Sequence, residues 1–135
     1  MILVHRDSQN DLYKDFVVAY NNTLKSLGKK ACLVEKSELI RLAMDSKAPR
    51  YYISTDRARK FVSKYLKTGE IDSSYKEDKR MIKEIVEKYY AEVDKNPKKS
   101  MSLILEEIIY SEASSFFISR TKAYYILHRY YAKKK

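Results

Sequence analysis

The 135-residue sequence has no tryptophan, one cysteine, two glycines, two prolines and two histidines. Each scarcity excludes something. A lone Cys32 rules out a disulfide framework and a cysteine-rich zinc cluster, and reads as a reduced thiol. Two glycines and two prolines leave too little turn material for an all-β fold, while lysine, glutamate, leucine, isoleucine and alanine are plentiful; the expected class is all-α. His5 and His128 stand far apart in unlike settings and read as ordinary histidines. There is no glycine-rich phosphate loop, no nucleophile elbow and no metal-ligand spacing, so catalytic residues, metals and cofactors are not expected. No apolar run approaches about 18 residues, and the start MILVHRDSQND is too short and too quickly charged for a signal peptide. The expectation is a soluble cytoplasmic protein that does not enter a membrane.

What is there begins with a stretch that occurs twice. Ala48-Pro49-Arg50-Tyr51-Tyr52-Ile53-Ser54 returns 65 residues later as Ala113-Ser114-Ser115-Phe116-Phe117-Ile118-Ser119. Behind these, Ala58, Phe61, Val62 and Tyr65 align with Ala123, Ile126, Leu127 and Tyr130. A fixed offset held across a turn and an apolar pattern marks an internal repeat. The expected plan is two diverged three-helix repeats, about six helices packed as one unit, with domains at 1–69 and 70–135. Forty-four per cent apolar residues suffice for a core.

Along the chain, residues 8–27 place Leu12, Phe16, Ala19, Tyr20, Thr23, Leu24 and Leu27 on one helical stripe, with Ser8 or Asn10 as cap and Gly28 as stop. A connector over 29–36 leads to a short helix over 37–46. Pro49 forces an extended segment through Ile53. Ser54 caps a basic helix over 54–68 that Gly69 ends. In the second half, Ser74 and Glu77 have capping-box spacing. A helix burying Ile82, Ile85, Val86, Tyr89 and Val93 follows, then a short apolar one over 101–111. A last, aromatic and basic helix spans 119–133 behind Ser119.

The net charge of +10 is concentrated. Residues 47–67 carry seven cations against Asp56 alone, a net +6, and residues 120–135 carry a further +6 with no acid, so the remainder is −2. Clustered lysine and arginine is the electrostatic footprint of a polyanion. The expected nucleic-acid contacts are Arg50, Arg57, Arg59, Lys60, Lys64 and Lys67. Where the first basic helix has Arg59, Lys60 and Ser63 outward, the last has Tyr124, Tyr125 and His128, and with Tyr131 these form an expected face for a protein partner or a homodimer. The terminal Lys133–Lys135 run fits phosphate steering or plain solvation.

A short helix, a turn and a serine-capped helix with an inward alanine and an outward basic face resemble the helix-turn-helix class. That resemblance covers residues 37–67 and, less closely, 102–132. It implies DNA binding, with Thr55, Arg59, Lys60, Ser63 and Lys64 towards the major groove. The sequence departs from the class in its turn, about seven residues with a proline and two aromatics against the usual three or four. The Ala-Pro-Arg-Tyr-Tyr-Ile-Ser string also resembles one in short uncharacterised proteins of gut bacteria and their phages and mobile elements, which implies a setting but no activity. Two readings of the tyrosine pair stay open, base stacking by Tyr51 or Tyr52 and a structural one in which one ring plugs the core between helices two and three and Ile53 packs on its own helix, with the structural one favoured because both aromatic pairs sit beside the same Ile-Ser. Two functions follow. The first is a small basic nucleic-acid-binding protein, DNA-binding and regulatory; the second is a helical adaptor or structural subunit of a phage or mobile-element assembly, in which case it would sit in a virion.

Overall fold

Residues 8–71 and 73–133 are described by a computed structural model. The expected lead-in over residues 1–7, with His5, and the tail residues Lys134 and Lys135 lie outside the described residues. The chain is all-α: α1 (Ser8–Leu27), α2 (Lys36–Met44), α3 (Thr55–Thr68), α4 (Lys76–Lys95), α5 (Met101–Ile109) and α6 (Arg120–Lys133). Among the described residues the only β-type pairing is a single antiparallel bridge between Ala48 and Ala113.

The ends of the helices follow their local chemistry. Ser54 accepts a hydrogen bond from the Arg57 amide at 3.2 Å, and Ser119 accepts one from Lys122 at 3.1 Å, so both third helices start on a serine cap. Gly69 stops α3 with φ 74°, a left-handed conformation that glycine adopts without a Cβ penalty. Three expectations are corrected. The 29–36 connector is largely a 3-10 helix over Gly28–Leu33. The Ser74/Glu77 capping box does not form: Tyr75 is the residue ahead of α4, and Ser73 supplies the polar contacts, accepting from the Tyr75 amide and donating to Asp78. An asparagine cap at Asn10 is also absent, because α1 is already helical at Ser8.

The helices gather into two compact units, and the division does not fall at residue 69 as expected from the repeat. One unit combines α1, α2 and α6; the other is the continuous stretch Pro49–Glu112, with α3, α4 and α5. Each therefore takes its long and short helix from one half of the sequence and its third helix from the other. Helix lengths match across the halves, 20 residues for α1 and α4, nine for α2 and α5, and 14 for α3 and α6.

Open carbonyls at the ends of the short helices are satisfied by the connectors that follow this division. The last carbonyls of a helix have no intrahelical partner and need donors. In one unit the Tyr51 amide donates to Ile109 O at 2.8 Å, at the end of α5; in the other the Phe116 amide donates to Met44 O at 3.2 Å, at the end of α2. Tyr51 and Phe116 are 65 apart in sequence, as are Met44 and Ile109. The expected extended segment from Pro49 through Ile53 is corrected: the backbone bends at Pro49, Arg50 and Ile53, with the proline disfavouring the αR conformation for Ala48.

The first unit buries Leu12, Phe16, Val17 and Tyr20 of α1, Leu39, Ile40 and Ala43 of α2, and Ala123, Ile126 and Leu127 of α6. Phe116 closes this core edge-on to Phe16, with ring centroids 5.3 Å apart. The second buries Ala58 and Val62 of α3, Met81, Ile82, Ile85 and Val86 of α4, and Ile104, Leu105, Ile108 and Ile109 of α5. Tyr51 is fully buried there. Its hydroxyl donates to Glu84 Oε1 at 2.5 Å, and Lys88 Nζ stands 4.8 Å from its ring centroid. Burial, and then the bond to Glu84, push the Tyr51 hydroxyl well above the usual phenol range. Tyr51 and Tyr52 are both buried, but the expected plug between the second and third helices is corrected: the partners of Tyr51 include Glu84 and Lys88 of α4 and Ile109 of α5.

Candidate nucleic-acid interface

The basic helix α3 buries one narrow stripe and leaves the rest to water. Ala58 and Val62 point inward, while Arg57, Arg59, Lys60, Lys64 and Lys67 are exposed. Lys60, Lys64 and Lys67 recur at i, i+4 and i+7, which aligns them on one helical face. With Arg59, Ser63 and Thr68 they line a shallow depression of about 350 Å³. The depression thus gathers four cations and two hydroxyls, groups chemically suited to an oxyanion. Ser63 Oγ lies 3.7 Å from Met101 Sδ of α5, which fixes its place in the wall. Arg59 also bonds Asp56 at 3.0 Å, an exposed pair that holds the guanidinium only loosely. Among the described residues, Lys60 and Lys67 have no ion-pair partner.

Two of the six expected phosphate contacts fall elsewhere. Arg57 is exposed but turned to Asp78, 3.3 Å away, with its guanidinium 5.4 Å from the Phe61 ring centroid. Thr55, placed towards the groove by the helix-turn-helix resemblance, does not line the depression. Arg50 is corrected outright: it is 4 % exposed. Its Nε donates to Tyr51 O at 3.0 Å, and its guanidinium lies 4.6 Å from the Tyr110 ring and 5.7 Å from the Tyr52 ring. A buried cation needs such partners, and one that has them is a structural post, not a surface contact. The pair of helices that a helix-turn-helix would pack together is also divided, since α2 and α3 belong to different compact units and α3 packs on α4 and α5.

On α6, Tyr124, Tyr125, His128 and Tyr131 are all exposed, as expected. Their surroundings differ. Tyr131 meets Tyr20 and Tyr130 edge-on, with centroids 6.5 Å and 5.1 Å away. Tyr125 instead belongs to a depression of about 300 Å³ with Lys122, Arg129 and three residues of α1, Gln9, Asn10 and Tyr13. Sequence reasoning missed this second concavity. Half of it was visible as the i, i+3, i+7 spacing of Lys122, Tyr125 and Arg129; the α1 half depends on which helix α6 packs against.

Among the described residues there is no cluster of three or more potential metal ligands, and no helix is long and apolar enough to cross a membrane. Comparison of the chain with protein-family models, with curated proteins and with solved structures finds no match.

Proposed function

We propose that this chain is a small, non-enzymatic nucleic-acid-binding protein that presents α3 to the phosphates of DNA. The observation that carries the reading is the gathering of Arg59, Lys60, Lys64 and Lys67, with Ser63 and Thr68, on one shallow depression. Phosphate contacts of this kind position a protein on nucleic acid, and they release counterions, so affinity falls steeply with salt. Arg59 and Lys60 are the candidates for base-edge contacts, since they sit in the N-terminal half of α3. Arg50 is left out because it is buried, and Arg57 has a secondary place because of Asp78.

The test is binding of the full chain to random-sequence duplex DNA between about 50 and 200 mM salt, a window in which several phosphate contacts shift affinity by orders of magnitude. The expected result is a steep loss of affinity with salt. No binding at the low-salt end would leave the charge of α3 as a solvated face and overturn the reading.

The adaptor reading rests on a different observation, the exposed stripe of Tyr124, His128 and Tyr131 at i, i+4 and i+7 on α6. Loss of self-association or of a protein partner in Tyr124→Ala, with DNA binding intact, is the outcome that would favour it.

A further inference from the structure

Neighbouring stripes on α6 have different chemistry. Tyr124, His128 and Tyr131 form one; Lys122, Tyr125 and Arg129 form the next, about 100° round the helix. Tyr125 is 52 % exposed, the most open ring of α6. Lys122 Nζ and Arg129 Cζ lie 5.6 Å and 5.7 Å from its centroid, and Arg129 Nη1 donates to its hydroxyl at 3.2 Å. Both cations lie over the ring at cation–π distance, and the Arg129 bond to the hydroxyl helps hold the ring in place. Opposite them α1 contributes Tyr13 and the amide side chains of Gln9 and Asn10 to the same depression, and Ile126 lies at its buried side.

We infer that this depression between α1 and α6 takes one unpaired nucleotide of a single strand, its base stacked on Tyr125 and its phosphate held by Lys122 and Arg129. Each component has a counterpart in that ligand. A π-face receives any base, since stacking is sequence-tolerant. Two cations beside the ring meet the adjoining phosphodiester, and amide groups offer donors and acceptors to a base edge. A volume of about 300 Å³ is at the low end of ligand-sized pockets. Tyrosine and arginine serve protein interfaces as well, but lysine and the amide side chains of the lining are less typical of an interface core. The inference takes its ligand class from the proposed function but its geometry from the other unit of the chain, so the two can fail separately.

The test uses the full-length protein and two short single strands of equal phosphate count, an oligothymidylate and an abasic strand with no bases. Wild type is expected to bind the oligothymidylate about tenfold more tightly, the effect of one stacked base. Tyr125→Ala should bring that ratio to about one while leaving a salt-dependent affinity, and Tyr125→Phe should keep it, because the ring and not the hydroxyl stacks. Tyr125 is exposed, so the variants are expected to fold; circular dichroism checks this. Arg59→Glu combined with Lys60→Glu should weaken both strands alike and leave the ratio unchanged, which separates failure of the α3 reading from failure of this one. Equal binding of the two strands by wild type, or a preference that survives Tyr125→Ala, would overturn the inference. So would self-association that is lost in Tyr125→Ala without any base preference in wild type, since the face would then belong to a second copy of the chain.

Discussion

The third helices α3 and α6 share a frame and differ in what they show to solvent. Both are 14 residues long and start on a serine whose hydroxyl takes the amide three residues on. Both bury an alanine completely, Ala58 and Ala123, and an aliphatic residue four positions later, Val62 and Leu127. The outward positions have been spent on different chemistry: Arg59 and Lys60 of one stand where Tyr124 and Tyr125 stand in the other. The inward positions are confined by packing, where a change of one methylene is felt, whereas the outward ones are limited only by solubility and by a partner. Function is therefore to be sought on the outer faces, which differ in chemistry between the two helices.

The comparison extends to the aromatic connectors, where it can be broken by substitution. Arg50 and Ser115 occupy corresponding positions, and both are buried. Arg50→Ala removes a guanidinium that bonds Tyr51 O and sits on two tyrosine rings, with an expected loss of about 3 kcal/mol, since charged hydrogen bonds and desolvated cation–π contacts each contribute about 2 kcal/mol and do not add fully. Ser115→Ala removes one bond, from the Phe117 amide at 3.3 Å, with an expected loss of about 1 kcal/mol. Urea unfolding of the two variants measures both. A phosphate-contact role for Arg50 would instead show as weaker DNA binding with unchanged stability.

Tyr51 and Phe116 make the second such pair and differ by one hydroxyl. Tyr51→Phe gives one unit the other's side chain and deletes the bond to Glu84, for an expected loss of about 1–2 kcal/mol at neutral pH. The hydroxyl also predicts a pH dependence. Its folded-state pKa lies above the ordinary 10.0, so the folded state retains a proton that the unfolded chain releases. That contribution is fully present below pH 10 and is lost progressively as the pH rises beyond it. Wild-type stability should therefore fall more steeply than that of Tyr51→Phe on the alkaline side, and parallel curves would show that the buried hydroxyl is not coupled to folding.

Much of this frame is legible in the sequence. Ser54, Gly69 and Ser119 mark helix ends because a cap is a local device, decided by one side chain and its own backbone. The centres of the apolar stripes, such as Leu12 and Phe16 of α1 or Ile82, Ile85 and Val86 of α4, are visible because periodicity reports which face is inward; their edges are not, since Tyr89 and Val93 are only half-buried and Val17 and Met81 are buried unexpectedly. Periodicity is silent on which helix lies opposite, and so the placing of α3 and α6 in the two units was not visible; the bonds of the Tyr51 and Phe116 amides to Ile109 and Met44 accompany it. Arg50 was misplaced for a similar reason. A single arginine beside two tyrosines looks the same in sequence whether exposed or enclosed, and its enclosure depends on Tyr110, 60 residues away. Ser74 and Glu77 matched a capping pattern, but Ser73, one residue earlier, made the contacts. The depression around Tyr125 needed α1 beside α6, a pairing that no local pattern encodes.

The most direct measurement of the central claim is the salt dependence of duplex-DNA binding for wild type beside Arg59→Tyr combined with Lys60→Tyr, which gives α3 the outer face of α6 on an unchanged frame. If the cations of α3 contact phosphates, the slope of log affinity against log salt should become shallower by about two in the variant, close to one per lost contact, while its unfolding curve stays that of wild type. An unchanged slope and affinity in a folded variant would contradict the account and leave the outer face of α3 without the role assigned to it.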